Sequence, residues 1–209
     1  MILFDLDGTL IDSNEIWQQV DRIFLSSHGL ESTDEYLNVV EHSIFPVAAQ
    51  FTKDYYKMDT TPEAIMAEWL SLAKEAYEYH IPLKPGAREF LIQQATKGER
   101  LALVSACVPE LGYAVLSRHG ISPFFQHIVF AQEVGLEKRH PDFFQRVLEH
   151  LSATPQECTF IDDAPDNCSA AKAIGMTVIG ILDPLYKNEF DRMRHICDRC
   201  VCNFNELLT

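Results

Sequence analysis

The chain opens on four apolar residues, Met1-Ile2-Leu3-Phe4, and continues Asp5-Leu6-Asp7-Gly8-Thr9-Leu10. A short apolar run stopped by a turn signal predicts a buried strand of a parallel sheet. Asp5 then stands at the strand's carboxyl end, the edge where open α/β sheets place their ligands. Two carboxylates on one buried tip repel each other, and removal from water disfavours ionising both. A divalent cation would offset that charge, and hard cations such as Mg²⁺ take oxygen ligands. Either aspartate alone is more simply a solvated turn residue at a strand end. The seven residues from Phe4 to Leu10 together are not.

Beyond Leu10 the pattern is helical to about residue 80. Ile16, Val20, Ile23 and Phe24 follow helical spacing, and Gly29 stops that helix. Ser32-x-x-Glu35 forms a capping box for the next helix, Pro46 begins a third, and Thr61-Pro62-Glu63 starts a fourth as N-cap and N1 proline. Pro82 and Pro85-Gly86 mark a return linker. Strands and helices then alternate: strand Leu101 to Cys107, helix Pro109 to His119, strand His127 to Ala131, helix Pro141 to Leu151. The series ends with strand Cys158 to Ile161, helix Asn167 to Ile174, strand Thr177 to Ile181 and a short strand Arg199 to Cys202. This predicts an α/β fold: a doubly wound, Rossmann-like parallel sheet formed by residues 1–11 plus 84–209, with residues 12–83 inserted as an all-helical module.

Composition narrows the function. The 209 residues carry a net charge of -14, which argues against nucleic acid or an anionic membrane as partner. No apolar run approaches the roughly 20 residues that span a bilayer, and Met1 leads directly into the first strand, so we expect a cytoplasmic protein. The six cysteines are scattered. His195-x-Cys197-x-x-Cys200-x-Cys202 lacks the paired spacing of a zinc site, and we take these thiols as structural.

In a doubly wound sheet the strand tips converge, so polar residues there meet although they are distant in sequence. The second strand delivers Ser105 and the fourth delivers Asp162-Asp163. Lys138 precedes the helix that opens at Pro141. Singly, Ser105 is a loop hydroxyl, Lys138 a surface lysine and Asp163 an N-cap. It is their coincidence at successive strand tips with Asp5 and Asp7 that points to a site.

The motifs occur in the order found in the haloacid dehalogenase superfamily. Asp5-Leu6-Asp7-Gly8-Thr9-Leu10 resembles motif I, Leu101 to Ser105 motif II, Lys138-Arg139-His140-Pro141-Asp142-Phe143-Phe144 motif III, and Thr159 to Asn167 with Ala170 to Met176 motif IV. Arg139 stands where motif III usually has proline. The resemblance covers nearly the whole chain and makes residues 12–83 a C1-type cap. The nearest branch resembles the β-phosphoglucomutase and phosphoglycolate phosphatase group.

The resemblance implies a Mg²⁺-dependent phosphatase acting on a small phosphorylated metabolite. Asp5 is the implied nucleophile and Asp7 the acid and then base. Asp5, the Asp7 backbone carbonyl and Asp163 are implied metal ligands, and Asp162 a further ligand or a residue behind them. Ser105 and Lys138 bind phosphate. Dehalogenases of the superfamily lack an aspartate at the Asp7 position. Phosphomutases carry a histidine near the start of the cap, where Trp17 stands here. A receiver domain places its Asp pair on the first strand and has no helical insert. A catalytically silent binding or regulatory protein on the same fold remains the alternative from another class.

The cap offers little on specificity. Residues 11–83 hold thirteen Asp/Glu against four Lys/Arg, Lys53 among them. So acidic a module suits a sugar or polyol carrying one phosphate better than a second anionic group. Trp17, Phe51, Tyr55 and Tyr56 would either line a sugar site or fill the cap's core, and helical spacing favours the core. The linkers near Asp12 and Pro82 are the expected hinges.

Overall fold

The computed structural model describes residues 1–40 and 43–208. Six strands lie parallel: β1 (Ile2–Phe4), β2 (Leu101–Ser105), β3 (His127–Phe130), β4 (Thr159–Asp162), β5 (Thr177–Ile181) and β6 (Arg199–Val201), in the order β3-β2-β1-β4-β5-β6. This is the doubly wound order whose ligand crevice opens at the carboxyl ends of β1 and β4, where the winding reverses. Phe4 pairs with Leu103 on one side and Ile161 on the other, which sets Asp5 beside the tips of β2 and β4. The Asp5 N–H donates to Ile161 O at 2.9 Å.

Ten α-helices follow in chain order among the described residues. The insert contributes α1 (Asn14–Ser27), α2 (Asp34–Val40), α3 (Phe45–Tyr56) and α4 (Pro62–Glu75). The remainder contributes α5 (Ala87–Thr96), α6 (Pro109–Arg118), α7 (Ala131–Val134), α8 (Pro141–Leu151), α9 (Pro165–Ala173) and α10 (Phe190–Ile196). Both sheet faces are covered, which is why the strands read as continuous apolar runs. Leu3, Ala102, Val104, Phe160 and Val178 pack with Phe143, Phe144 and Val147 of α8 on one face. Phe4, Leu101, Leu103 and Ile161 pack with Phe90 of α5 and Leu111 and Val115 of α6 on the other.

The insert leaves and rejoins the sheet through two strand-like linkers lying side by side. Ile11 bridges Leu83 in antiparallel fashion, Asp12 N–H donates to Pro82 O at 3.0 Å, and Lys84 N–H donates to Leu10 O at 2.9 Å. Phe51, Tyr55 and Tyr56 gather round buried Tyr36, with ring centroids 6.2, 5.9 and 5.1 Å from it. They belong to the insert's own core, as their spacing suggested.

Several boundaries differ from the sequence expectation. Thr33, not Ser32, caps α2: with Asp34 as the first helical residue, the Tyr36 N–H is the orphan donor and reaches Thr33 Oγ1 at 3.1 Å. The expected cap at Thr61 is present, its Oγ1 accepting from Ala64 N–H at 3.2 Å. β4 runs one residue further than expected, so Asp162 lies inside the strand. α9 begins at Pro165 and not Asn167, with Ala164 at its N-cap, so Asp163 does not cap it. Ala131 opens the one-turn helix α7 and does not extend β3, and α10 was not anticipated.

Candidate active site

Four chain segments meet at the β1/β4 edge. Past Phe4 the chain turns sharply at Gly8, whose φ of +76° lies in the left-handed region. A Cβ on Gly8 would sit 2.2 Å from Asp163 Oδ2 and 2.4 Å from Asn14 Nδ2, so only glycine lets the β4 loop close over this turn. Thr9 Oγ1 donates to Asp163 Oδ1 at 2.9 Å, and Asn14 Nδ2 donates to Asp163 Oδ2 at 3.1 Å. Asp163 is thereby oriented by residues from the other end of the chain.

Asp5, Asp162 and Asp163 are all buried, and one carboxylate oxygen from each lies within 4.8 Å of the others. Among the described residues this is the one set of acidic, His or Cys side chains placed closely enough to hold a metal ion. Lys138, 4% exposed, forms ion pairs with Asp5 and, at 2.8 Å, with Asp162, and its Nζ also donates to Val104 O at 3.3 Å. Asp162 is occupied on both oxygens. Oδ1 accepts from Ala164 N–H at 2.7 Å, and Oδ2 takes Lys138 and, at 3.2 Å, Asn167 Nδ2.

The electrostatics follow from three acids and one ammonium. Burial pushes the Asp5 carboxyl up to about 7, assisted by the Asp162 and Asp7 charges and opposed by Lys138. Burial likewise raises Asp163 well above the carboxylate range, with Asp162 and Asp5 adding to it. Burial pulls the Lys138 ammonium down, but Asp162 and Asp5 overcome this and leave its pKa above the ordinary lysine value. Ionised together, the three carboxylates would outnumber the one ammonium at a dry edge, and a hard, oxygen-seeking divalent cation fits that donor set.

Asp7 is half-buried, and its Oδ1 accepts from Ser13 Oγ at 2.7 Å and from the Tyr77 hydroxyl. Above it opens a cleft lined by Asp5, Asp7, Trp17, Phe45, Trp69 and Lys138, among others. Of the residues singled out in the sequence, the structure brings together Asp5, Asp7, Lys138, Asp162 and Asp163. Ser105 is wholly buried at the end of β2, where its Oγ accepts from Cys107 N–H at 2.9 Å. Lys138 is no surface lysine and Ser105 no exposed loop hydroxyl. Thr9, Asn14, Ser13, Asn167 and Tyr77 were not anticipated. Thr9 stood in view within the first motif and Ser13 three residues beyond it, but Tyr77 sits in an apolar helical stripe and carried no signal of its own.

The chain is thus a doubly wound α/β protein with buried aspartates at its switch point and a helical insert after the first strand. Residues 2–181 match the family of haloacid dehalogenase-like hydrolases, and the chain belongs to that family. It is 25% identical over 190 residues to a glyceraldehyde 3-phosphate phosphatase from Pyrococcus abyssi, covering 86% of this chain and 79% of that one. It is 28% identical over 189 residues to a phosphoglycolate phosphatase from Pseudomonas putida, covering 87% and 68%. The fold is shared with CbbY from Rhodobacter sphaeroides, solved in complex with phosphate, at a TM-score of 0.81 and 21% identity over 99% of this chain and 95% of the other. No described helix is long and apolar enough to cross a membrane.

Proposed function

We propose that this chain is a Mg²⁺-dependent phosphatase of small phosphorylated metabolites that works through an aspartyl-phosphate. The observation that carries the proposal is the buried trio Asp5, Asp162 and Asp163, gathered within 4.8 Å at the switch point with Lys138 bound to two of its members. Residues 12–83 act as a cap domain over a core of residues 1–11 and 84–209.

Asp5 attacks phosphorus: a carboxylate O–P bond forms, the ester P–O bond breaks, and its electron pair goes to the leaving oxygen, which takes a proton from Asp7. Asp7 then removes a proton from a water that attacks the aspartyl-phosphate, releasing inorganic phosphate and restoring Asp5. Asp5, Asp163 and the Asp7 backbone carbonyl are the residues that would hold Mg²⁺. The ion, when bound, supplies positive charge against the phosphoryl oxygens. Asp162 orients Lys138, which binds phosphate with Ser105.

The substrate is a sugar or polyol monophosphate. Among the described residues lining the cleft, Lys138 is the one cation and is already paired, while Asp21 and Glu137 add negative charge. A leaving group bearing a carboxylate or a second phosphate would meet like charge there. Trp17 at the start of the insert, where phosphomutases carry histidine, favours hydrolysis over mutase transfer.

The test is phosphate release from a panel of phosphorylated metabolites, with Mg²⁺ and with chelator, by wild type and Asp5→Asn. We expect metal-dependent turnover of neutral monophosphates and loss of nearly all of it in the variant. Metal-independent turnover, or an Asp5→Asn enzyme as active as wild type, overturns the proposal. No turnover on any ester favours a binding or regulatory protein.

A further inference from the structure

The side chain of Asp7 is held from the inserted helices. Ser13 lies in the outgoing linker, and Tyr77 at the far end of the insert, in a single π-helical turn, Ala76–His80, that prolongs α4. Such turns are rare and occur frequently at functional sites. Tyr77 is wholly buried, yet its hydroxyl is fully partnered: Trp17 Nε1 donates to the Tyr77 oxygen at 2.7 Å, with the two rings edge to face at 6.0 Å.

Donor chemistry fixes the direction of this chain. An indole N–H can only donate, so it occupies the phenol oxygen as acceptor and leaves the one phenol O–H to serve Asp7. An ordinary phenol keeps its proton at neutral pH, so that O–H is there to donate. Cys107, buried, lines the same cleft as Asp7.

We propose that Tyr77, oriented by Trp17, is a positioning residue for Asp7. With Ser13 it holds Oδ1 as an acceptor and fixes the rotation of the carboxyl, leaving Oδ2 to deliver the proton to the leaving oxygen as the ester P–O bond breaks. This rests on Asp7 being the proton donor of a phosphatase. Asp7 is then aimed from the insert, through one residue from its first helix and one from its last turn.

The experiment compares two esters on the same enzyme preparations. Glycerol phosphate releases an alkoxide that needs a proton, whereas p-nitrophenyl phosphate releases a phenolate that leaves without one. Their kcat/KM values cover the steps up to loss of the leaving group, and their ratio does not depend on the folded fraction of a variant. Tyr77→Phe should lower kcat/KM about ten-fold or more on glycerol phosphate and less than about three-fold on p-nitrophenyl phosphate. Trp17→Phe should shift the ratio the same way by less. Because Trp17 acts through Tyr77, the double variant should be no worse in this ratio than Tyr77→Phe alone. Equal losses on both esters, an unchanged ratio, or losses in the ratio that multiply in the double variant would each overturn the assignment. Wild type inactive on both esters fails the phosphatase proposal itself, and this inference with it.

Discussion

Thr9 donates its hydroxyl to Asp163 across 154 positions of sequence, inside the protein. Together with Asn14 it holds Asp163, in the loop after β4, near Asp5, the residue that follows β1. Groups that orient a metal ligand typically account for 10- to 100-fold in affinity or activity. Thr9→Val and Asn14→Ala should therefore each weaken Mg²⁺ binding by about ten-fold or more with a smaller effect on folding. Calorimetric titration with Mg²⁺ measures this, and unchanged affinity would show that Asp163 is not a ligand.

Gly8 is the closest backbone approach in the site. An alanine there adds left-handed strain of about 1–2 kcal/mol and drives a methyl into Asp163. Gly8→Ala should melt several degrees lower and lose more than about 100-fold in kcat, since about 1 kcal/mol corresponds to roughly 2–4 °C in a chain of this size. Gly98→Ala is the control. Gly98 also has a positive φ but faces no atom within 4 Å, so the variant should keep wild-type turnover.

The strand tips were legible because each rests on local chemistry: an apolar run, then Asp, Ser or Asp-Asp. Lys138 was also legible, because its helix announces itself with Pro141. Residues that act by reaching across the fold were not. Tyr77 has the apolar spacing of a core residue, and nothing in the sequence tells a tyrosine that buries its hydroxyl against Asp7 from one that only fills space. Helix starts were wrong by one or two positions wherever neighbouring residues compete to cap, as at Ser32 and Thr33. Lys84 gave no signal because its partners, Asp12 and Asp183, come from opposite ends of the chain.

That lysine joins the two linkers to the sheet. Its ammonium is 2.8 Å from Asp12 Oδ1 and also pairs with Asp183, which is 3% exposed. Removing one partner of a buried pair strands the other charge at a cost of about 3–5 kcal/mol. Lys84→Met should thus lower the melting temperature by roughly 6–20 °C, and Lys84→Met/Asp183→Leu should recover much of the loss. A double variant no more stable than Lys84→Met would mean that the linkers are held by their backbone pairing alone.

Asp5 makes the metal-free protein sensitive to pH in an unusual direction. Burial holds its folded pKa at about 7, against about 3.9 for an unfolded aspartate. A raised folded pKa means that the native state binds the proton more tightly. The stability it contributes is full below about pH 4 and is lost as pH rises through about 7. Asp163 is shifted the same way, also by burial. The exposed Asp198, lowered by Lys172, acts oppositely but only at acid pH, below the window of Asp5. In chelator the melting temperature should therefore fall by several degrees between about pH 5 and about pH 7. Saturating Mg²⁺ should flatten or reverse that slope, because the ion binds the ionised carboxylates and so stabilises the state that burial penalises. Asp5→Asn should flatten it in chelator as well, which separates the effect from histidine titration. A chelated wild type whose melting temperature climbs across this range would show that the three carboxylates do not share excess charge, and would remove the reason for placing a cation among them.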